Sequence, residues 1–370
     1  MSEKLGIGII GYGGFGPFVH KAWNSLDDAE VRAVSDMNPE RHPEDRVHFT
    51  TDWTELLDDA RLDIIAVITP PSTHADIAHS VMESGKHLLV DKPIATTLED
   101  AQMLIETRDK TGSIAAVNFM LRFNPLVRQM VRWGADNSFG SLRHAAVENV
   151  AQDDNLAPEH WFWNSEISGG ILVEHAGHFV DFINAIAHEK PASVTGSRLM
   201  RNEAQEDQTL AVALYNSGLV ATHYHEFSRP RQLETTTIRL VFEMAQVDLS
   251  GWIPLEGEVT ALTDEVGLDL LKELPGWVEN ENSPAADTEG RKSFYSAGKP
   301  FSATRLVRGR FAVQEQKQEV YASCLRGMMN DVVQAILDPS HKVEVPLEDG
   351  YSALETALLA RDAGRTQHPA

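Results

Sequence analysis

The chain has 370 residues, enough for two domains of ordinary size, and its 42% hydrophobic and 24% charged content is that of a globular protein. A formal net charge of −23 opposes binding to nucleic acid or an anionic membrane, both polyanions. No apolar run approaches the roughly 18 residues of a membrane-spanning helix, and the lone Cys324 excludes an internal disulfide or a multi-cysteine zinc site.

Leu5–Ile10 is a buried strand candidate that runs directly into glycines, not into the longer apolar core of a secretory leader, so a cytoplasmic location is expected. Phe15–Leu26 fits a helix with Pro17 in its first turn, where proline is tolerated. Glu30–Ser35 reads as a second strand, Thr54–Asp59 as a helical stretch and Ile64–Thr69 as a third strand. His74–Ser84 is a helix closed by Gly85, His87–Val90 a strand, Leu98–Thr111 a helix stopped by Gly112, and Ile114–Asn118 another strand. Strands separated by helices imply parallel pairing in a doubly wound sheet.

After Arg122 the pattern changes. Ser141–Val150, Ser193–Arg201, Thr209–Tyr215, Leu219–Phe227, Thr235–Val241 and Gln246–Leu249 read as strands, with a hairpin turn at Asn216-Ser217-Gly218. Helices are expected at Gly170–Ala187, Glu319–Leu337 and Leu354–Ala363, and a long loop over Gly276–Pro300. The predicted class is α/β: an N-terminal doubly wound parallel sheet over residues 1–122, then an α+β domain over 123–370 with a large, mostly antiparallel open sheet. Gly251–Gly290 carries ten acidic residues and one lysine, while Arg291–Phe311 carries six basic residues and no acid. Two solvated surfaces, paired with each other or across a subunit contact, are expected there.

Gly11-Tyr12-Gly13-Gly14-Phe15-Gly16 matches G-x-G-x-x-G after an apolar strand and at the opening of a helix, the context of a Rossmann dinucleotide site. Gly11 would permit the tight turn, Gly13 the close approach of a pyrophosphate, and Gly16 the packing of helix on sheet; the helix N-terminus faces the phosphates. Asp36 ends the second strand 20 residues beyond Gly16, where a carboxylate accepts from both ribose hydroxyls and repels a 2′-phosphate. NAD is therefore the expected cofactor, with Arg41 the nearest basic residue after Asp36.

Further segments follow in order: Thr69-Pro70-Pro71-Ser72-Thr73-His74, Asp91-Lys92-Pro93, Ser168-Gly169-Gly170 through Asp181, and Val343 to Gly350. Together they resemble the glucose-fructose oxidoreductase/inositol dehydrogenase (Gfo/Idh/MocA) family over nearly the whole chain. The resemblance implies that Lys92 lies next to the nicotinamide and the reacting hydroxyl. It also implies that Thr69, Pro70, His74 and Asp91 line the cofactor. Asp91 stands where the family has glutamate, and Glu174 where it has aspartate four residues before the histidine, here His178. Ile171 and Ala176 replace glycines of the family motif.

On a continuous helix Glu174 and His178 are i, i+4 and share one face, with Asp181 one turn further on. A histidine there accepts a proton near neutral pH, and an adjacent carboxylate orients its ring. His175 and His178 lack the His-x-x-x-His spacing of zinc helices, so no metal is expected. Arg122 and Asn124 lie at the domain junction, where Arg122 either meets substrate or forms a structural ion pair. Trp161, Phe162 and Trp163 either stack on sugar C–H surfaces or pack in a core. His223 and His225 share one strand face, whose role the sequence leaves open. The expected substrate-binding set is Lys92, Arg122, Asn124, Trp163, His175 and His178.

The expected function is NAD-dependent oxidation of a hydroxyl on a sugar, inositol or related polyol, by Lys92, His178 and Glu174. The family resemblance keeps an NAD-dependent glycoside hydrolase as an alternative, working by transient oxidation, elimination, hydration and re-reduction. A non-catalytic nucleotide sensor is a second alternative. By the same resemblance the chain is expected to form a homodimer or homotetramer.

Overall fold

The computed structural model describes residues 4–43, 47–154, 156–285 and 293–367. Strands β1 (Leu5–Ile10), β2 (Ala29–Ser35), β3 (His48–Thr50), β4 (Ile64–Val67), β5 (His87–Val90) and β6 (Ala115–Val117) form a six-stranded sheet in the order β3-β2-β1-β4-β5-β6. Every pair in it is parallel. Parallel strands covered on both faces need apolar side chains throughout, and Ile7, Ile9, Ile64, Ile65, Val67 and Val90 are fully buried. The helices between them are α1 (Gly16–Trp23), α2 (Glu55–Asp58), α3 (His74–Glu83) and α4 (Leu98–Thr111). Their ends follow local chemistry. The Thr97 hydroxyl accepts from the Asp100 amide at the start of α4, and Gly112 closes it in the left-handed region at φ 71°. The short edge strand β3 went unpredicted, because three residues give no alternation to read.

Beyond β6 come α5 (Pro125–Asp136), β7 (Leu142–Gln152), α6 (Ser165–Ser168), α7 (Ile171–Glu174), α8 (Gly177–Ala187), β8 (Ser193–Met200), β9 (Glu206–Leu214), β10 (Val220–Arg229), β11 (Thr235–Phe242), β12 (Ala245–Ser250) and β13 (Glu256–Thr263). They are followed by α9 (Glu265–Lys272), β14 (Val278–Pro284), β15 (Ser293–Ser296), β16 (Lys299–Ser302), β17 (Arg305–Ala312), α10 (Lys317–Leu337), α11 (Leu347–Asp362) and β18 (Arg365–Gln367). A ten-stranded sheet runs β14-β17-β13-β12-β11-β7-β10-β9-β8-β18, and β15 and β16 form a separate hairpin. The large sheet is antiparallel except at β7/β10 and β8/β18. One face of β7, β10 and β11 is buried at alternate positions: Ala145, Val147 and Asn149; Ala221, His223 and His225; Thr236, Ile238 and Leu240.

Three expectations change. The helix foreseen over Gly170–Ala187 is broken into α7 and α8 at His175 and Ala176. The loop foreseen over Gly276–Pro300 contains β14, β15 and the start of β16, while its residues 286–292 lie outside the described residues. β14 shows no alternation, with Val278 to Asn280 exposed and Glu281 to Ser283 half-buried, and its ladder to β17 supplies the pairing that composition hides. The terminal helix starts at Leu347, earlier than Leu354. The acidic and basic segments pair with each other: β13 runs beside β17, Arg308 meets Glu281 at 2.6 Å and Arg305 meets Glu265 at 3.2 Å.

By packing, the chain divides into two compact units. The first comprises Met1–Phe123, Pro158–Asp181 and Tyr321–Leu358; the second comprises Asn124–Ala157, Phe182–Val320 and Leu359–Ala370. The first unit thus joins two later segments, 158–181 and 321–358, to the N-terminal part of the chain.

Candidate active site

In the first unit the carboxyl ends of β1, β2, β4 and β5 lead into Gly11, Asp36, Thr69 and Lys92, so parallel topology alone gathers these residues at one edge. Gly11 has φ 98°, and a Cβ there would lie 2.2 Å from the Ile68 carbonyl oxygen. A Cβ on Gly16 would lie 2.7 Å from the Gly11 carbonyl oxygen, so both glycines are required by close backbone approach. At Gly14 nothing stands within 4 Å of that position, and at Gly13 only the Arg41 guanidinium does, at 3.4 Å. The loop thus leaves an open backbone cradle at the start of α1, as a pyrophosphate requires.

Asp36 closes the other end of that cradle. Its Oδ2 accepts from the Tyr12 amide at 2.7 Å and its Oδ1 from the Asn38 amide at 2.9 Å, with Arg41 Nη1 3.6 Å from Oδ2. These residues fit an NAD ribose and pyrophosphate. Tyr12 contributes its backbone only, because its hydroxyl is buried 2.7 Å from His20 Nδ1. Phe15 stacks on Tyr321 with ring centroids 6.2 Å apart. Thr69 is half-buried and Pro70 exposed, and the Thr73 hydroxyl donates to the Thr69 hydroxyl at 2.7 Å.

His74 is buried and Asp91 half-buried. His74 is 1% exposed, and its ring nitrogens lie 2.7 Å from the Pro93 and Thr69 carbonyl oxygens. Asp91 Oδ1 accepts from the Lys92 amide at 3.0 Å and Asn118 Nδ2 at 3.1 Å. Both residues act on the loop that carries Lys92.

Lys92 and the glycine-rich segment converge. Lys92 Nζ donates to Glu174 Oε1 and to the Glu174 carbonyl oxygen, each at 2.5 Å. The helix breaks after Glu174, so Glu174 and His178 lie on separate helices, and Glu174 pairs with Lys92. Burial pushes the Glu174 carboxyl up, but Lys92 and His175 outweigh it and leave the group below its ordinary value. His178, near the start of α8, meets the Phe119 ring edge-on at 5.7 Å. Burial, reinforced by Lys92 and His175, holds His178 well below its usual range, so the ring is neutral and able to accept a proton. Burial, with Lys92 adding and Glu174 opposing, lowers His175 to about 4.

Arg122 is engaged by protein carboxylates. Its Nε and Nη2 donate to the two oxygens of Asp181 at 2.7 and 2.8 Å, and Nη2 also to Asp349 at 2.9 Å. Burial pushes Asp181 up to about 6 against the pull of Arg122. Asn124 belongs to the second unit, where it is fully buried. Its Oδ1 caps α5 and its Nδ2 donates to the Pro254 carbonyl at 2.9 Å, which occupies the side chain structurally. Trp163 is 5% exposed and packs against Phe162 at 5.1 Å, the core alternative. Sequence reasoning missed Asn118 and Asp349 as partners, since an asparagine after a strand and an aspartate near a helix start carry no spacing signal. Among the described residues no cluster of histidine, cysteine and carboxylate is arranged to hold a metal ion.

Comparison with known proteins accords with this geometry. Residues 5–119 match the family model described as oxidoreductase family, NAD-binding Rossmann fold, and residues 127–244 match the Gfo/Idh/MocA C-terminal domain. A scyllo-inositol 2-dehydrogenase (NAD+) of Bacillus subtilis is 28% identical over 176 residues, 46% of this chain and 50% of that protein. A glycosyl hydrolase family 109 protein of Porphyromonas gingivalis is 25% identical over 268 residues, 62% of this chain and 57% of that protein. The chain thus spans about half the length of the curated relatives it matches. The crystal structure of GenD2 from gentamicin A biosynthesis, in complex with NAD, superposes with a TM-score of 0.74 at 18% identity, covering 98% of this chain and 95% of that one, and so shares the fold. With both domains matched in order, the chain belongs to the Gfo/Idh/MocA family of NAD-binding oxidoreductases.

Proposed function

We propose that this protein oxidises a hydroxyl of a sugar, inositol or related polyol with NAD. The observation that carries the reading is the contact of Lys92 with Glu174 beside the neutral, buried His178, all in the unit that holds the glycine loop. Bound NAD supplies a hydride acceptor at its nicotinamide ring. Lys92 donates a hydrogen bond to the substrate oxygen and stabilises negative charge as it develops there. His178 accepts the hydroxyl proton at a ring nitrogen, a role for which its lowered proton affinity keeps it unprotonated. Glu174 orients the Lys92 ammonium by its two contacts. His175 and Arg122 stand as substrate-side candidates: His175 through its ring, Arg122 through the segment it anchors with Asp181.

Residues 1–122 are proposed as the cofactor domain, and residues 123–370 as the substrate-binding and oligomerisation domain of a cytoplasmic homodimer or homotetramer. No described helix is long and apolar enough to cross a membrane. The test is a panel of sugars, inositols and glycosides with NAD, read by reduced-nicotinamide absorbance and product analysis. Net NADH formed on a free polyol supports the proposal. Glycoside cleavage without net NADH would replace it with the hydrolase reading, which the family 109 relative favours. Tight NAD binding with no turnover on any member would leave the nucleotide-sensor reading instead.

A further inference from the structure

The hydrogen bonds around His74 constrain where protons sit. Its Nδ1 lies 2.7 Å from the Pro93 carbonyl oxygen and its Nε2 lies 2.7 Å from the Thr69 carbonyl oxygen. Carbonyl oxygens only accept, and a neutral imidazole has one N–H. In the neutral form one of these contacts would set a bare nitrogen lone pair against an oxygen lone pair inside the protein. With both nitrogens protonated, each contact is a donor facing an acceptor.

The surrounding charges lead to the same state. Burial pushes the Asp91 carboxyl up, while Lys92, His74 and the two N–H donors on its Oδ1, from the Lys92 amide and Asn118, favour the ionised form. Lys92 is paired with Glu174 at 2.5 Å. Two carboxylates against one ammonium would leave an excess negative charge in a buried region, which is costly. A positive His74 cancels it. We propose that His74 is an imidazolium at neutral pH, balanced by Asp91, and that its two N–H groups position the Lys92 loop by tying it to the segment after β4. It is a positioning residue that touches neither dinucleotide nor substrate.

The charged groups acting on the ring are Asp91 and Lys92, with Tyr321 within electrostatic reach of Asp91. Burial, the largest effect, and Lys92 push the His74 pKa down, while Asp91 and both carbonyl acceptors push it up; what favours the charged form is the geometry, with each ring nitrogen 2.7 Å from an oxygen that can only accept.

The test is a long-range proton–nitrogen correlation spectrum of the full chain carrying ring-labelled histidine, with His74 assigned through the backbone. From about pH 6 to about pH 8 the His74 ring is expected to show two protonated nitrogens, whereas an ordinary histidine loses one across that interval. A spectrum with one protonated and one bare nitrogen overturns the proposal. In Asp91→Asn the second proton is expected to be lost at neutral pH; its retention would remove Asp91 as the balancing charge. If that variant does not fold, the unmodified chain still decides the charge state. No substrate is involved, so this outcome is independent of whether the protein oxidises a polyol.

Discussion

Buried histidines in both units have a low proton affinity: His223 in the second, His175 and His178 in the first. In the second unit His223 and His225 lie on the buried face of β10 with rings stacked 6.4 Å apart, and burial alone lowers His223 to about 4. In the first unit His175 and His178 are lowered by burial too, but a Lys92 ammonium paired with Glu174 stands beside them. A depressed histidine is therefore no mark of chemistry by itself; an adjacent charge that can act on a reacting oxygen is the distinguishing feature.

The largest expected effect tests that distinction directly. Lys92→Met should lower turnover on the order of 10³-fold while leaving the NAD dissociation constant within about twofold. Steady-state kinetics and a binding titration measure the two, and near-normal turnover would remove Lys92 from the reaction. His178→Asn should cost on the order of 10²-fold in kcat. Because His178 lies well below its ordinary value, wild-type kcat should also hold as pH falls through about 6.5. A protonation limb centred there would assign the acceptor role elsewhere.

His223 provides the contrasting test, in stability. Its folded value of about 4 lies below the unfolded value near 6.5, so the unfolded chain binds the proton more tightly. Its stabilising effect is complete above that unfolded value and is lost as pH falls from about 6.5 towards about 4. In denaturant titrations, His223→Phe should reduce the stability lost between pH 7 and pH 5 by about 2 kcal/mol. An unchanged loss would mean the ring is not desolvated as described. The smallest effect concerns the cofactor: Asp36→Ser should narrow the preference for NAD over NADP on the order of tenfold, with Arg41 left free to meet a 2′-phosphate. An unchanged ratio in paired kinetic assays would take Asp36 out of the ribose site.

Legibility differed sharply between the two sheets. In the parallel one, β5 and α4 lie at the bounds read from the sequence, because an apolar run, a Thr97 cap and a left-handed Gly112 are local signals. In the large sheet β7 to β12 were readable from alternation, whereas β13, β14, β17 and β18 went unseen. The charged side chains of β13 and β17, among them Glu256, Glu258, Arg308 and Arg310, face outward, so their composition imitates a surface loop. At the site, Lys92, Glu174 and His178 are legible from motifs, whereas the pairing of Lys92 with Glu174 is not. The helix periodicity that joined Glu174 to His178 assumes an unbroken helix, and the turn at His175 and Ala176 cancels it.

The dinucleotide loop, the carboxylate at its far end and the order of the family's motifs are encoded locally, each in residues close together along the chain. Folding in three dimensions is what brings Glu174 to Lys92, sets Arg122 between Asp181 and Asp349, and places His74 between two carbonyls. The contacts of Lys92 and Arg122 join residues far apart in sequence. Their partners are selected by burial, where a charge or a polar hydrogen must find its complement, and no local pattern encodes which complement lies within reach.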